Sequence, residues 1–324
     1  PYGVGMDIAC RMHFSVYPDP PDIIRTKKES LKNILTENTR FGLAEFRDIG
    51  DHELMERSEW KDIPFLKPLK RKFYNQLGTS GHGNHFVDVG LLVVEDYSDE
   101  LQLQPGQYFA ILSHSGSRNF GAEVAKHYTQ IAKKKLGISG EAGQLAWLDM
   151  NSEEGREYWQ AMNLAGDYSK ANHDIIHRRL SAALGSQPIK VLENHHNFAW
   201  EEKLSEHESL IIHRKGATPA HEGDVGIIPG NMVAPAFIVS GKGNASSLYS
   251  ASHGAGRQLS RRKARQTFSK SNLDKVLSRA DVELIGGATD ESPAAYKDIL
   301  RVMEAQKELI NVLGLFYPRI VRME

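Results

Sequence analysis

Residues 225–239 have the sequence Val225-Gly226-Ile227-Ile228-Pro229-Gly230-Asn231-Met232-Val233-Ala234-Pro235-Ala236-Phe237-Ile238-Val239. Both ends are apolar and the middle contains Pro, Gly and Asn, which predicts two strands, at 225–228 and 236–239, joined by a turn. Segments 189–192 and 210–213 are of the same type. Because these strands follow one another without intervening helices, we predict an α+β fold rather than a doubly wound sheet.

Elsewhere in the chain, apolar spacing predicts helices over 22–47, 121–136, 153–184 and 294–312, and further strands over 86–94 and 108–112. Gly137 and Gly185 follow two of these helices as stop signals. We find no internal repeat and no low-complexity linker. The sequence therefore predicts one catalytic domain over 1–324, with mixed sheets, surrounding helices and an active site built from loops at strand ends.

Composition excludes several classes of protein. The chain has 324 residues and a net charge of −1, so it lacks the overall basic field of many nucleic-acid binders. Basic residues cluster locally instead, at 67–72, 133–135 and 261–265. The single cysteine excludes an internal disulfide and predicts a reducing, cytoplasmic location. No apolar run is long enough to span a bilayer, so we expect no membrane partner. Because the chain begins at Pro1 without Met, we expect that residues before it are missing.

His253 is the candidate catalytic residue. It lies in Ser252-His253-Gly254-Ala255-Gly256-Arg257, where glycines let the backbone bend tightly and let a ligand approach closely. A basic stretch with helical spacing follows, from Arg257 to about Phe268. A histidine on a glycine loop before a helix N-terminus suits phosphate chemistry, because free N–H groups and the helix dipole attract anions.

A second group of residues predicts a metal site. Asp7 and Cys10 are three positions apart, and His85, His114 and His196 lie in polar or glycine-containing turns. Borderline metals such as Mn, Fe, Co and Zn accept this mixture of sulfur, imidazole and carboxylate. The spacing matches no zinc finger, and a bridging thiolate would hold two ions. Ordinary structural roles are predicted for His13, His52, His127, His173, His177, His207 and His221.

Taken together, these segments resemble the RtcB family of RNA ligases, which join 3′-phosphate or 2′,3′-cyclic phosphate ends to 5′-hydroxyl ends. The resemblance covers nearly the whole chain, from Pro1 to about Asp298, in the same order as in the family. Its main segments are Gly3-Val4-Gly5-Met6-Asp7-Ile8-Ala9-Cys10, Gly83-Asn84-His85-Phe86, His114-Ser115-Gly116-Ser117-Arg118, His213-Arg214-Lys215-Gly216-Ala217-Thr218 and His253-Gly254-Ala255-Gly256-Arg257. Shorter matches are His196-Asn197, Pro229-Gly230-Asn231-Met232 and Ala295-Tyr296-Lys297-Asp298.

The resemblance implies roles for individual residues. Asp7, Cys10, His85, His114 and His196 would bind two Mn²⁺ ions with a bridging thiolate, and His253 would be guanylylated by GTP. Arg118 and Arg257 are candidates to bind RNA phosphates through their planar guanidinium groups. The implied nucleotide-binding residues are Asn84, His85, Phe86, Val87, Asp88, His196, Asn197, Pro229, Gly230, Asn231, Met232, His253, Gly254, Ala255, Gly256 and Tyr296.

The implied substrates are RNA ends, with GTP and Mn²⁺ as cofactors, and an archease-type activator is a candidate partner. The sequence departs from the family pattern at four places: Asp88 replaces a usual Glu, Ala236 a serine, Arg11 a glycine, and the chain ends in Arg322-Met323-Glu324 near a usual Lys. These differences leave the candidate metal ligands and His253 in place and bear on guanine specificity.

Two other functions are compatible with these residues. A metal-dependent phosphoesterase acting on RNA 3′ ends would need the metal ligands but not His253. A non-catalytic protein that binds RNA ends would use the basic clusters as its surface. Retention of both His253 and the whole ligand set favours the ligase.

Overall fold

The computed structural model describes residues 1–46, 49–205 and 208–324, and in them helices and strands are mixed as an α+β fold requires. The helices are α1 (Ile23–Thr26), α2 (Lys28–Asn38), α3 (Glu59–Asp62), α4 (Lys70–Gln76), α5 (Asn119–Leu136), α6 (Glu153–Leu184), α7 (Arg261–Thr267), α8 (Lys270–Arg279) and α9 (Ile299–Ala305). The strands are β1 (Arg11–Tyr17), β2 (Phe86–Val94), β3 (Gly106–Ser115), β4 (Lys190–His195), β5 (Phe198–Ser205), β6 (Glu208–Arg214), β7 (Ala217–Pro219), β8 (Val225–Ile228), β9 (Ala236–Gly241), β10 (Ser250–Ser252), β11 (Glu283–Ile285) and β12 (Ile310–Arg322). Within the described ranges, no helix is both long and apolar enough to cross a membrane.

One sheet of eight strands forms the centre of the fold, in the order β4-β1-β3-β2-β12-β9-β8, with β11 parallel to the end of β12. The pairs β5–β6 and β7–β10 form two small sheets. The large sheet curls until its two edge strands meet at Asn194. The side-chain oxygen of Asn194 accepts a hydrogen bond from the Ile227 amide at 3.0 Å, and its Nδ2 donates to the Ile227 carbonyl at 3.4 Å. An amide side chain thus replaces the missing strand pairing.

β1 lies between an apolar interior and helix α6. Side chains alternate along a strand, so Phe14 and Val16 join the apolar cluster inside the curled sheet. Ser15 and Tyr17 face the other side, where the Ser15 hydroxyl hydrogen-bonds to Nδ1 of His177 on α6 at 2.8 Å. The strand therefore separates a dry core from a polar layer beneath α6.

Helix α6 holds two of the loops that build the site. It ends at Gly185, whose φ of 69° is the left-handed conformation that glycine adopts readily after a helix. In its middle, fully buried Asn172 accepts a hydrogen bond from the Gly78 amide at 2.8 Å and donates to the Gly116 carbonyl at 3.0 Å. One side chain thereby positions the loops that precede His85 and follow His114.

The helices at 121–136 and 153–184 and the six predicted strands are confirmed, but the helix over 22–47 is too long. It divides into α1 and α2 and ends at Asn38, while residue 47 lies outside the described part of the chain. Asn38 Nδ2 donates to the Ile34 carbonyl at 2.9 Å, and the Thr39 hydroxyl donates to the Leu35 carbonyl at 2.6 Å. These side chains satisfy the last carbonyls and end the helix.

The helix predicted over 294–312 is also wrong for most of its length. Only α9 is helical, and β12 begins at Ile310, because this segment pairs with β9 on one edge and β2 on the other. The predicted helix start beside His253 is wrong too. Helix α7 begins at Arg261, where the Ser260 hydroxyl accepts from the Lys263 amide at 3.2 Å. The sequence reasoning did not predict β1 or β5.

Candidate active site

Strand register brings the predicted metal ligands together. Cys10 immediately precedes β1, in which Arg11 lies opposite Ser115 of β3 and His195 of β4. His114 lies near the end of β3, opposite Phe86 of β2. The start of β1 is therefore flanked by His114 on one side and His196 on the other. His85, the residue immediately before β2, lies beside them.

Cys10, His85 and His114 form a buried group whose candidate ligand atoms lie within 4.8 Å of one another. Cys10 Sγ lies 3.0 Å from His114 Nε2 and 3.5 Å from His85 Nε2. Asp7 adjoins them, because its Oδ2 lies 3.1 Å from His85 Nε2. The ring of His196 lies 5.4 Å from that of His114. All five predicted ligands thus surround one place.

The imidazoles are oriented for binding a cation. His114 Nδ1 lies 2.9 Å from the Asn84 carbonyl, to which it can only donate, so the neutral ring keeps its Nε2 lone pair directed at Cys10. Nδ1 of His85 and Nδ1 of His196 are buried without a hydrogen-bond partner among the described residues. A cysteine sulfur, which a bound cation would deprotonate, beside imidazoles and a carboxylate suits a borderline divalent metal.

The backbone around the site is held in an uncommon conformation. Ala9 and Asn197 both have a φ of 56°, in the left-handed region that non-glycine residues rarely adopt. The Ala9 amide donates to the Asn197 carbonyl at 2.9 Å, which joins the residue before Cys10 to the residue after His196. Such strain persists where surrounding contacts fix it and is frequent at functional sites.

Burial controls the protonation of these side chains. It raises the pKa of the Cys10 thiol well above its ordinary value, with a contribution from nearby Asp7. It lowers the pKa of His114 to about 3 and the pKa of His196 well below the usual range. Removal from water opposes ionisation of Asp7, but its contact with His85 lowers the pKa of that carboxyl overall. The two histidines are therefore neutral at pH 7, the form that binds metals.

His253 lies against this group with one nitrogen occupied. Its ring lies 4.7 Å from that of His196, and its Nδ1 donates to the Gly216 carbonyl at 2.7 Å. Burial lowers its pKa, although the hydrogen bond to Gly216 opposes the shift. The ring is thus neutral at pH 7 and its Nε2 carries a free lone pair, as a nucleophile requires.

A pocket of about 310 Å³ opens in front of His253. This volume is in the range of small-molecule sites, and its wall combines apolar side chains with a few polar groups. Most of the predicted nucleotide-binding residues line it, from four separate parts of the chain. They are Asn84, Phe86, Asp88, Pro229, Gly230, Asn231, Met232, His253, Gly254, Ala255, Gly256 and Tyr296.

Four predicted nucleotide-binding residues lie elsewhere. Val87 is on the opposite face of β2, in an apolar cluster with residues of α2 and α6. His85 and His196 belong to the metal group, and Asn197 lies behind the pocket, where its Oδ1 accepts from the Gly216 amide at 2.9 Å. The alternation of side chains along β2 explains why Asp88 faces the pocket while Val87 does not.

The two candidate RNA-binding arginines are already engaged in this structure. Arg118 is only 8% exposed and donates from Nη2 to the Gly42 carbonyl. Arg257 donates to the Asp290 carbonyl at 2.6 Å and lies 3.2 Å from Glu291 Oε2 at the pocket wall. Both are therefore held in fixed positions beside the site rather than free on the surface.

The sequence reasoning missed a set of charged residues at the pocket mouth. Arg261 lies 3.0 Å from Asp290 and forms an ion pair with Glu291, which also accepts from the Tyr296 hydroxyl. Asp290 and Glu291 are about 97% buried. Their burial between Arg257, Arg261 and Tyr296 depends on tertiary contacts, and no local sequence signal indicated it.

Three histidines predicted to be structural do form a buried polar layer. Ser113 Oγ lies 2.7 Å from His173 Nδ1 and 2.8 Å from His177 Nε2, and the His13 and His177 rings are 4.1 Å apart. His173 Nε2 donates to the Ser115 carbonyl at 3.2 Å, directly behind Cys10. His207, which was given the same role, lies outside the described residues.

The comparisons with known proteins all point to one family. The family model described as tRNA-splicing ligase RtcB matches residues 19–323. The chain is 31% identical to an RNA-splicing ligase RtcB of Escherichia coli strain K12, over 97% of this chain and 81% of the relative. It is 27% identical to the tRNA-splicing ligase RtcB of Thermococcus kodakarensis, over 98% of this chain and 80% of the relative.

The family match covers nearly the whole chain, as does the set of predicted site residues, several of which lie at the ends of β1, β2, β3 and β4. The resemblance noted from the motifs is therefore confirmed, and the chain belongs to the RtcB family.

Proposed function

We propose that this protein is a GTP- and Mn²⁺-dependent RNA ligase that joins 2′,3′-cyclic phosphate or 3′-phosphate ends to 5′-hydroxyl ends through a guanylylated His253, acting in RNA repair or tRNA splicing. One observation carries the proposal: His253, with its Nδ1 bound to the Gly216 carbonyl, lies between the ligand group and the pocket. The family match supports the same activity.

In the proposed first step, Nε2 of His253 attacks the α-phosphorus of GTP, an N–P bond forms, and pyrophosphate leaves. The imidazole then carries both its Nδ1 proton and the guanylate. The Gly216 carbonyl, already 2.7 Å from Nδ1, stabilises that positive charge and keeps the ring aligned with the phosphorus. A 2′,3′-cyclic phosphate end is first opened by water to a 3′-phosphate. An oxygen of the 3′-phosphate then attacks the guanylate phosphorus and the N–P bond to His253 breaks. The 5′-hydroxyl attacks the activated RNA phosphorus and loses its proton, and GMP leaves.

The donor set fits Mn²⁺, because a cysteine sulfur, imidazole nitrogens and the Asp7 carboxylate meet at one place, and Nδ1 of His196 is buried there without a partner among the described residues. Asp7, Cys10, His85, His114 and His196 would hold two ions. Bound metal would neutralise the charge of the triphosphate. The protein's own residues would orient His253, and the apolar wall of the pocket would exclude water.

RNA is the proposed substrate, and Arg118 and Arg257 are proposed to receive its terminal phosphates because both are fixed beside the site. The Lys67–Lys72 cluster is proposed to extend this contact. We also propose that residues 1–324 act as one catalytic domain in the cytoplasm, with no membrane partner and with an archease-type protein as a candidate activator.

The experiment is covalent labelling. Incubation with [α-³²P]GTP and Mn²⁺, followed by denaturing electrophoresis, should leave label on the wild-type chain and none on His253→Ala. His221→Ala, which changes a histidine beside Glu202 away from the pocket, should keep the label. The bond should be acid-labile and alkali-stable, as phosphoramidates are. Absence of label with every nucleoside triphosphate tested would exclude the ligase and favour a phosphoesterase or an RNA-end-binding protein.

A further inference from the structure

A second group of potential metal ligands lies in the polar layer beneath α6, apart from the group that contains Cys10. His13 on β1 and Glu193 on β4 are cross-strand partners, so their side chains share one face of the sheet. Asp174 reaches them from α6. The three candidate ligand atoms, one imidazole nitrogen and two carboxylate oxygens, lie within 4.8 Å of one another.

His13 directs a nitrogen without a hydrogen-bond partner at this group. Its side chain is 6% exposed, and its Nδ1 is buried with no such partner among the described residues. Nδ1 lies 4.0 Å from Asp174 Oδ1 and 3.8 Å from Glu193 Oε2, which is too far for a direct hydrogen bond. Two ligands that bind one ion at about 2.0–2.2 Å lie roughly 3–4 Å apart. The separations therefore fit a shared cation better than direct pairing.

The imidazole of His13 is held in this orientation by other rings. Its centroid lies 4.1 Å from that of His177, and the ring is parallel to that of His173 at 6.0 Å. Both neighbouring histidines are buried and hydrogen-bonded to Ser113. Because the ring is already fixed, binding an ion would cost it little conformational freedom.

One cation already bridges the two carboxylates from the solvent side. Lys170 Nζ lies 3.2 Å from Asp174 Oδ2 and 3.4 Å from Glu193 Oε1. The side chains of Lys170 and Asp174 are 47% and 46% exposed, so this ion pair contributes little to stability and the ammonium can move into water. Arg11 Nη1 lies 3.0 Å from Glu193 Oε2 and would keep that carboxylate oriented.

The donor atoms match a particular class of ion. Contacts with His13, and then with Arg11 and Lys170, lower the pKa of the Glu193 carboxyl well below its ordinary value, although burial opposes the shift, so the group is ionised at pH 7. One imidazole and two carboxylates, without sulfur, form a set that Zn²⁺ accepts, and three protein ligands leave a fourth position for water.

We propose that His13, Asp174 and Glu193 form a separate metal site that binds one Zn²⁺ ion in place of the lysine ammonium. The ion would join β1, β4 and α6 at one point. His13 lies three residues after Cys10, and Glu193 three residues before His196. The site would therefore fix the two strands that lead to Cys10 and His196, which is a structural role independent of the proposed ligase activity.

The test is the number of Zn²⁺ ions bound per chain, measured by plasma mass spectrometry after equilibrium dialysis over a series of Zn²⁺ concentrations. Asp174→Asn keeps the size of a half-exposed side chain but loses the carboxylate, so it should bind one ion fewer than the wild type. Lys170→Ala should bind that ion roughly three- to tenfold more tightly, because the competing ammonium is gone. Lys307→Ala, which removes a lysine paired with Glu304 on another surface, should change neither the count nor the affinity.

Co²⁺ distinguishes this site from the group that contains Cys10. Cobalt bound to sulfur gives a charge-transfer absorption in the near ultraviolet, whereas cobalt bound only to nitrogen and oxygen does not. Asp174→Asn should lose one Co²⁺ ion and keep this absorption. Cys10→Ala should lose the absorption and keep the ion bound by His13.

Three results would overturn the proposal. They are an unchanged ion count in Asp174→Asn, loss of the sulfur absorption in that variant, and an affinity that Lys170→Ala leaves unchanged. Any of them would leave Lys170 as the cation that neutralises the two carboxylates. None depends on whether His253 becomes labelled by GTP, so failure of this site and failure of the ligase are separate outcomes.

Discussion

The side-chain oxygen of Asn197 accepts a hydrogen bond from the Gly216 amide at 2.9 Å, and the Gly216 carbonyl accepts from His253. Asn197 also accepts, through its own carbonyl, a hydrogen bond from Ala9, which precedes Cys10. A continuous series of contacts therefore connects the backbone of the metal group to the ring of the candidate nucleophile.

Removal of the Asn197 side chain should misorient His253 without removing metal ligands. Asn197 has a φ of 56°, so Asn197→Gly deletes the amide without adding backbone strain. We expect covalent labelling by GTP to slow by roughly 10- to 100-fold, because small misplacements of a reacting group are costly. Metal content, measured by plasma mass spectrometry, should be unchanged. An unchanged labelling rate would show that Gly216 holds His253 without help from Asn197.

Cys10→Ala should abolish metal uptake at both proposed positions while the chain still folds. Cys10 Sγ is the one sulfur among the proposed ligand atoms and lies 3.0–3.5 Å from two imidazole nitrogens, and alanine offers no atom that could replace it as a metal ligand. The measurement is metal content after dialysis against Mn²⁺, with circular dichroism as the folding check. His127→Ala, a histidine stacked on Phe65 outside the group, is the matched control. Full metal occupancy in Cys10→Ala would disprove the bridging role.

The sequence singled out candidate site residues that the fold brings together, but it predicted the helices and strands around them less completely. Local signals were sufficient for α5 and α6, because each ends at a glycine with positive φ. They failed at β12, whose pairing on both edges comes from distant segments. Motif spacing selected candidate ligands that the fold brings close together, but it could not predict that Asp290 and Glu291 would be buried between Arg257, Arg261 and Tyr296, since that depends on tertiary packing.

Arg257→Ala should weaken binding of RNA that ends in a 3′-phosphate much more than RNA that ends in a 3′-hydroxyl. Arg257 is fixed at the pocket wall beside His253, so it can meet a terminal phosphate and not the whole backbone. We expect a loss of roughly tenfold for the phosphorylated end, as for a charged hydrogen bond. Exposed Arg262 on α7 provides the comparison: Arg262→Ala should affect both RNAs alike. Fluorescence anisotropy with the two RNAs measures this, and equal losses for Arg257→Ala would contradict it.

Asn172→Ala should be among the most destabilising single changes in the chain. It would leave the Gly78 amide and the Gly116 carbonyl buried without partners. Each such group costs about 1–3 kcal/mol, so we expect a loss of roughly 2–6 kcal/mol in the free energy of unfolding. Urea titration followed by circular dichroism measures it. Asn163→Ala, on the same helix but partly exposed, should cost much less. A loss for Asn172→Ala as small as the loss for Asn163→Ala would mean that water satisfies the Gly78 amide and the Gly116 carbonyl.

Acidification below about pH 6.5 should destabilise the metal-free protein through His173 and His177. Burial, followed by nearby His13, lowers the pKa of both side chains well below the ordinary value of 6.5. In the unfolded chain they take up protons as pH falls through that value, while in the folded chain they stay neutral. The unfolded state then binds more protons, so stability is fully present above about pH 6.5 and falls as pH decreases, by about 1.4 kcal/mol per pH unit for each such histidine. Urea titrations from pH 7.5 to 5.5 in the presence of a chelator measure this slope. His177→Asn, which keeps a polar side chain beside Ser15 and Ser113, should reduce it, and a slope unchanged by that substitution would assign the effect to other groups.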